Sequence, residues 1–388
     1  MNTVAPSTLE ATPATSRHRA TVVHLTTHHT PYDIRIFRKE ARSLQQAGYD
    51  VTIVVPSEEE VTNRDGVDIV RLPMPGNRFA RFFVTPWQAY REAKRLKPDV
   101  VHLHETELIP VGWGFKLQGT RVIFDAHEDR PKQVLSKAWI PEPLRPAVAA
   151  FVRIMEGAAS RSFDAVLAAT PSIADTFPSG RTTVVQNYPI KNELATFDAK
   201  PYAERDRHFA YVGGLTATRG VREMVRAMHY LEGDDDTRLI LAGKFAPADL
   251  EGEMHDESGW EKTDALGWQS REQVANLLAS TRGGLVICHP TPNYLESQPN
   301  KLFEYMSAGL PVVASDFPLW RELVDSAECG LLVDPLDPEA VAGAMTWLLD
   351  HPAEAAAMGE RGQHAVRTRF NWDAESPHLL RVYEQVTG

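Results

Sequence analysis

Short runs of β-branched and aliphatic residues recur along this chain, each followed by a stretch with helical spacing, and the alternation restarts midway. In the first half the runs are TVVHL (21–25), VTIVV (51–55), DIVRL (68–72), DVVHL (99–103), RVIF (121–124), DAVLA (164–168) and TTVVQ (182–186). Several are apolar almost throughout, as expected where helices cover both faces of a parallel sheet. Between the first two, Ile34 to Gly48 sets Ile36, Phe37, Ala41, Leu44 and Ala47 on one helical face, with Gly48 as the stop. Strand–helix alternation with short connections predicts right-handed βαβ units and a doubly wound α/β fold.

A polar stretch with two prolines, 187–208, interrupts the pattern. It then resumes with HFAYV (208–212), RLILA (238–242), GLVIC (284–288), PVVAS (311–315) and GLLV (330–333). This predicts a second Rossmann-like domain. The expected organisation is a disordered tail at 1–20, an N-terminal domain at 21–195, a linker at 196–206, a C-terminal domain at 207–370 and a last helix at 371–388. That helix is expected to break near Pro377. The tail is rich in Thr, Ala and Pro and lacks the apolar core of a signal peptide. Two doubly wound sheets joined by a linker leave a cleft facing the carboxyl ends of their strands, where ligands of such sheets bind.

Charge and cysteine usage narrow the function. The net charge is −11, split as +3 over residues 1–200 and −14 over 201–388. A protein held to DNA or RNA phosphates is normally basic, so nucleic acid is not an expected partner. Cys288 and Cys329 form no CxxC pair, which disfavours a disulfide framework and a Cys-based zinc site and fits a reducing cytoplasm. No apolar run reaches the roughly 18 residues of a membrane span.

The most informative stretch is ESQPNKLFEYMSAGLPVVASD (296–316). Pro299 ends a loop, Asn300 is read as an N-cap, Lys301 to Ala308 as a short helix and Gly309 as its stop. A helix start carries unpaired N–H groups and about half a positive charge, which suits a phosphate. Lys301 adds a full charge. Glu296 before the helix and Glu304 one turn inside it bracket that phosphate position. A carboxylate accepts from paired hydroxyls, so the implied ligand is a ribose, a diphosphate and a sugar in series. Upstream, YVGGLTATRG (211–220) reads as a strand, a Gly turn and a helix, with Gly213 and Gly214 admitting a phosphate close to the backbone.

These features resemble the family 4 glycosyltransferases, whose GT-B fold sets two Rossmann-like domains across a cleft. The resemblance runs over nearly the whole chain after residue 20. It is carried by PYDIRIFRKEARSLQQAGYDV (31–51), VVHLHETELIP (100–110), VIFDAHED (122–129), YVGGLTATRG (211–220), PNKLFEYMSAGLPVVASDFPLWREL (299–323) and FNWDAE (370–375). It implies that Glu304 holds the ribose hydroxyls and Glu296 the ring hydroxyls of the donor sugar. The backbone around Asn300, Lys301 and Leu302 would meet the diphosphate, with Ser297 also among the donor-binding residues. His127 would approach the sugar and its leaving group from the N-terminal domain. The implied reaction is retaining transfer from a nucleotide diphosphate sugar, with uridine expected, to a saccharide, lipid-linked or small-molecule hydroxyl. It needs no cofactor and no metal. A phosphorylase, a sugar-nucleotide epimerase and a non-catalytic sensor are the competing readings. Polysaccharide synthesis and natural-product decoration both stay open as settings.

The chain departs from the family at two loops. Gly214 stands where a basic residue is usual, leaving Arg219 as the loop's only charge, with Lys244 either a second cation or a solvated lysine. The first loop, TTHHTPYDIRIF, lacks the usual glycine pair. Its Asp33 and Arg35 contact the acceptor or the diphosphate, or form a local Asp–Arg pair that caps the helix. His102 and His104 share one face of a strand as a metal pair would, with no third ligand spaced near them, and Asp234–Asp236 reads as a polar turn. Finally, 77–98 interleaves Arg78, Arg81, Arg91, Lys94, Arg95 and Lys97 with Phe79, Phe82, Phe83 and Trp87. It is an amphipathic cover for the sheet, or a surface for the inner face of an anionic membrane.

Overall fold

The computed structural model describes residues 20–60, 62–135, 137, 139–191, 200–231 and 236–388. The expected tail except Ala20, the first four linker residues (196–199), and Asp234 and Asp235 lie outside the described residues. Eight strands build the first sheet: β1 (Thr21–Leu25), β2 (Asp50–Pro56), β3 (Asn63–Arg64), β4 (Val67–Leu72), β5 (Val100–Leu103), β6 (Arg121–Ala126), β7 (Ala165–Ala168) and β8 (Thr182–Val184). Their order is β3-β4-β2-β1-β5-β6-β7-β8. All pairs are parallel except β3 with β4. The second sheet holds β9 (His208–Val212), β10 (Arg238–Ala242), β11 (Thr263–Ala265), β12 (Gly283–Val286), β13 (Val312–Ser315) and β14 (Gly330–Val333), ordered β11-β10-β9-β12-β13-β14 and wholly parallel. The chain is α/β, with two doubly wound sheets. Strand order reverses between β1 and β5 in one sheet and between β9 and β12 in the other, and crevices open at those points.

Apolar burial explains why these runs became strands. Every residue of β5, β7, β12 and β13 is buried, so both faces of those strands lie under helices. The edge strands β3 and β11 were absent from the sequence reading. They span two and three residues, and β3 is exposed at both positions, so neither leaves an apolar run.

Two helices differ from expectation. The 34–48 segment forms, with Ile36, Phe37, Ala41 and Leu44 buried, but it opens as a wide π-helix, Ile34–Ala41, before the α-helix Arg42–Gln46. The side chain of Asp33 caps it by accepting from the N–H groups of Arg35 and Ile36. The last helix, Trp372–Thr387, runs unbroken through Pro377. Proline there removes one N–H from the second turn, but Leu379, Val382 and Tyr383 beyond it stay buried. This helix packs into the core of the first sheet beside Val22, Ile36 and Val51. Trp372 Nε1 donates to Ser43 Oγ (2.8 Å), and a Glu375 oxygen accepts from the Gln186 N–H (2.9 Å).

Candidate active site

The C-terminal wall is built on the ends of β9 and β12. Gly213 follows β9 at φ 128°, and a Cβ there would meet Lys301 Cε at 2.7 Å and Nζ at 2.9 Å. At Gly214 a Cβ would meet Arg219 Nη1 at 2.8 Å. The two glycines are therefore the floor on which two cationic side chains lie. Arg219 Nη1 donates to the Gly214 carbonyl (3.3 Å) and Nε to Tyr294 Oη (3.2 Å), while Tyr211 Oη donates to the same carbonyl (3.0 Å). Lys301 Nζ sits 5.1 Å from the centre of the Tyr211 ring. Burial, then the charge of Arg219, pushes the Lys301 ammonium down to about 8. No carboxylate among the described residues lies within ion-pair distance of it. Two half-buried cations with no carboxylate between them make a positive pocket whose chemistry suits an anion.

Lys301 is the second residue of the helix Asn300–Ser307, whose start no side chain caps. Asn300 is thus not the N-cap. Pro299 occupies that place with extended backbone, and Asn300 Oδ1 instead accepts from Asn187 Nδ2 across the cleft (3.4 Å). Leu302 is fully buried, so only its backbone is in play. Glu304 does not line the cavity, and its Oε1 accepts from Arg271 Nη1 (2.8 Å). Glu296 is exposed to the cleft, where its carboxylate pairs with Lys132 of the N-terminal domain, and Ser172 Oγ donates to its carbonyl (3.1 Å). Ser297 is fixed through its carbonyl, which accepts from Trp320 Nε1 (2.7 Å).

On the opposite wall His127 follows β6, with Nδ1 3.5 Å from Asp125 Oδ2. Asp125 is buried and accepts from Arg35 Nε (2.8 Å), Arg35 Nη2 (2.7 Å) and His104 Nδ1 (3.1 Å). Burial raises its carboxyl, but the Arg35 charge and the histidine bonds outweigh this and hold it well below the usual range. Arg35 is itself buried against Asp125 and donates to the Val185 carbonyl (3.1 Å), so its guanidinium is committed to a core ion pair even though the residue borders the cleft. Asp33 caps its helix and meets His29 Nδ1 (3.0 Å). Burial raises it, and the His29 bond and backbone donors bring it down to about 2.

A cavity of about 440 Å³ between the domains is lined by Asp33, Arg35, His127, Arg219, Glu296, Ser297, Asn300 and Lys301. Gly213, Gly214, Leu302 and Glu304 are absent from its lining: the glycines lie against Lys301 and Arg219, Leu302 follows Lys301 in the helix, and Glu304 comes one turn after Asn300. Lys244 is exposed and absent from its walls. The sequence expected Lys244 as the possible partner of Arg219, but the second cation beside Arg219 is Lys301. A larger cavity of about 1070 Å³ opens in the N-terminal domain beside Phe82, Phe83, Trp87, Trp139 and Phe151, with Arg78, Arg81, Arg130 and Lys137 also on its walls. His29, Asp33, His127 and Glu128 line both, so the two spaces meet at His127. Lys132, Ser172, Asn187 and Tyr294 escaped sequence reading, since only tertiary contact brings them to the cleft.

Residues 194–365 match the family described as glycosyl transferases group 1, and residues 34–187 match the glycosyl transferase 4-like domain. The chain belongs to the family 4 glycosyltransferases. Phosphatidyl-myo-inositol mannosyltransferase of Mycobacterium leprae is 26% identical over 89% of this chain and 91% of its own length. A sucrose-phosphate synthase from Thermosynechococcus elongatus superposes at a TM-score of 0.77 and 20% identity, covering 95% of this chain and 99% of that one. Anabaena HepE in complex with UDP and glucose gives 0.70 at 14% identity, covering 95% and 98%. Both structures share the GT-B fold of this family member. No helix among its described residues is long and apolar enough to cross a membrane.

Proposed function

We propose that this glycosyltransferase moves a hexose from a nucleotide diphosphate sugar, with uridine as the expected carrier, to a hydroxyl of an acceptor that carries an apolar portion. The observation that carries the reading is the pair Lys301 and Arg219, enclosed above Gly213 and Gly214 at an uncapped helix start. The diphosphate takes that place. Glu296, once released from Lys132, meets the sugar hydroxyls, and Glu304 meets the ribose when Arg271 gives way. The leaving diphosphate gains negative charge in the transition state, and the two cations and the helix N–H groups stabilise it there. No side chain stands as a covalent nucleophile in this scheme, so the sugar departs and the acceptor attacks from the same face, with retention. The leaving phosphate takes the acceptor's proton.

The acceptor enters the larger cavity and meets the donor at His127. Its aromatic walls support an apolar group, and its arginines support a phosphate or another anion beside it. Phe83, Trp87 and Phe151 of its walls are more than 60% exposed, as are Phe79 beside Phe83 and Ile154 on the helix Arg145–Ser162. Two elements thus share one apolar, basic face, which favours contact of 77–98 with an anionic lipid surface over a purely internal role. The named activity of the M. leprae relative, on a phosphatidylinositol, agrees with such an acceptor. Calorimetry with UDP- and GDP-hexoses, followed by product NMR with a lipid acceptor, tests the proposal. No affinity for any nucleotide sugar, or an inverted anomeric centre in the product, would defeat it.

A further inference from the structure

A second cluster of reactive side chains lies behind the cleft, and the transfer reaction does not use it. The pairing of β1 with β5 sets His24 directly beside His102, and His104 follows the end of β5. The π-helix Ile34–Ala41 delivers Glu40 to the same spot. His24, Glu40 and His102 have no exposed surface and His104 only 1%. One nitrogen or oxygen from each lies within 4.8 Å of those of the others. The rings are closely grouped, with centroids 4.5 to 5.2 Å apart.

The cluster is left incomplete by the protein's own hydrogen bonds. His24 Nδ1 meets His104 Nε2 at 2.9 Å, but His24 Nε2, His102 Nε2 and both Glu40 oxygens have no hydrogen-bond partner. Arg35 Nε stands 3.0 Å from Glu40 Oε1, yet its hydrogen bond goes to Asp125. Buried polar atoms are rarely left this way, and several in one place call for an explanation. Burial keeps the three imidazoles neutral, driving His104 to about 3, and it raises the Glu40 carboxyl. Around the cluster, Tyr383 Oη lies 2.9 Å from His102 Nδ1, and Asp125 holds His104 Nδ1 at 3.1 Å. Outer partners of this kind fix the ring planes of metal-bound histidines; His24 and His102 keep Nε2 for the ion, and His104 Nε2 would exchange its bond to His24 Nδ1 for it.

We propose that His24, Glu40, His102 and His104 hold one structural divalent ion of the zinc class. Three neutral imidazoles and one carboxylate suit a borderline-soft metal in tetrahedral geometry. Ligand atoms around such an ion sit about 3.3 Å apart, so the widest pair closes by up to about 1.5 Å on loading. Any proton that Glu40 carries before loading leaves to solvent as the ion binds. Four protein ligands and no solvent access leave no open position. The ion therefore ties β1, β5 and the π-helix together under the Asp125–His127 pair and does not act on the sugar.

The test is elemental analysis of the full-length protein, with any affinity tag removed and after dialysis against a weak chelator, alongside cobalt(II) substitution. About one zinc per chain is expected, with a tetrahedral cobalt spectrum in its place after exchange. His24→Gln, His102→Gln and Glu40→Gln should each reduce bound zinc to below about a tenth of an equivalent. A strong chelator should lower the melting temperature of the parent chain. A parent protein that is metal-free, takes up neither zinc nor cobalt and melts unchanged with either would overturn the proposal, whatever the variants do. So would one equivalent that survives all three substitutions, or one lost only on His127→Gln, because the ion would then sit elsewhere.

Discussion

Lys301 offers a quantitative handle on the proposed donor site. An ordinary lysine titrates near 10.5, and burial with the nearby Arg219 charge brings this one to about 8. At about 1.4 kcal/mol per pH unit, the empty pocket charges up to about 3 kcal/mol for keeping the ammonium protonated. The sign follows from proton counting. Between pH 8 and 10.5 the unfolded chain holds this proton and the native chain does not, so the cost to stability is full below about 8 and fades as pH rises to about 10.5. A diphosphate beside Nζ reverses the shift and returns the proton. Donor affinity should therefore be nearly flat below pH 8 and fall by up to about tenfold per unit above it. Near pH 8 binding should take up about half a proton, measurable by calorimetry in two buffers of different ionisation heat. Lys301→Met should abolish the uptake and weaken binding by about a hundredfold, in keeping with loss of a charged hydrogen bond. Pocket affinity that is level from about pH 7 to 9.5, with no proton uptake in the parent protein, would refute the placement of the diphosphate at Lys301.

Four further expectations can be checked separately. Glu304→Ala should chiefly raise the donor KM, and Glu296→Ala should chiefly lower kcat, each by about ten- to a hundredfold in steady-state assays. Glu156 is buried against Thr106 and its carboxyl is raised to about 7, so the native state keeps a proton that the unfolded chain loses near 4.5. Stability should thus decline as pH climbs from about 4.5 to 7, by up to about 3 kcal/mol, and Glu156→Gln should flatten that slope in melting scans. Gly220 has φ 67° and a Cβ there would lie 1.9 Å from the Ile287 carbonyl oxygen, so Gly220→Ala should cost more than about 2 kcal/mol in denaturant unfolding. Replacing Phe83 and Trp87 together by serine should abolish flotation with anionic liposomes while leaving UDP affinity intact; unchanged flotation would remove the membrane surface.

The site was legible where chemistry is local and illegible where it depends on pairing. Gly213, Gly214, Arg219, Glu296 and Lys301 fall in two short stretches whose turn and helix chemistry is written in consecutive residues, and the fold brings them to one place. The sequence left Arg35 open between a ligand contact and a capping pair with Asp33, because its partner Asp125 is ninety positions away and meets it only after β1, β5 and β6 align. The same blindness hid the third and fourth members of the histidine cluster. His102 and His104 were visible as a pair on one strand, but His24 joins them through the β1–β5 register and Glu40 through a neighbouring helix. Asn300 misled because its side chain suits a cap, yet Pro299 already supplies the extended backbone ahead of the first turn.

The placement of the final helix has a practical consequence for anyone dividing this gene. Trp372, Leu379 and Tyr383 complete the interior of the opposite half, beside Val22 and Ile123. A fragment cut after residue 190 would leave that interior open on one side and should be recovered insoluble. A chimera that exchanges donor halves must carry this helix with its N-terminal host, as two non-contiguous pieces of one inheritable unit.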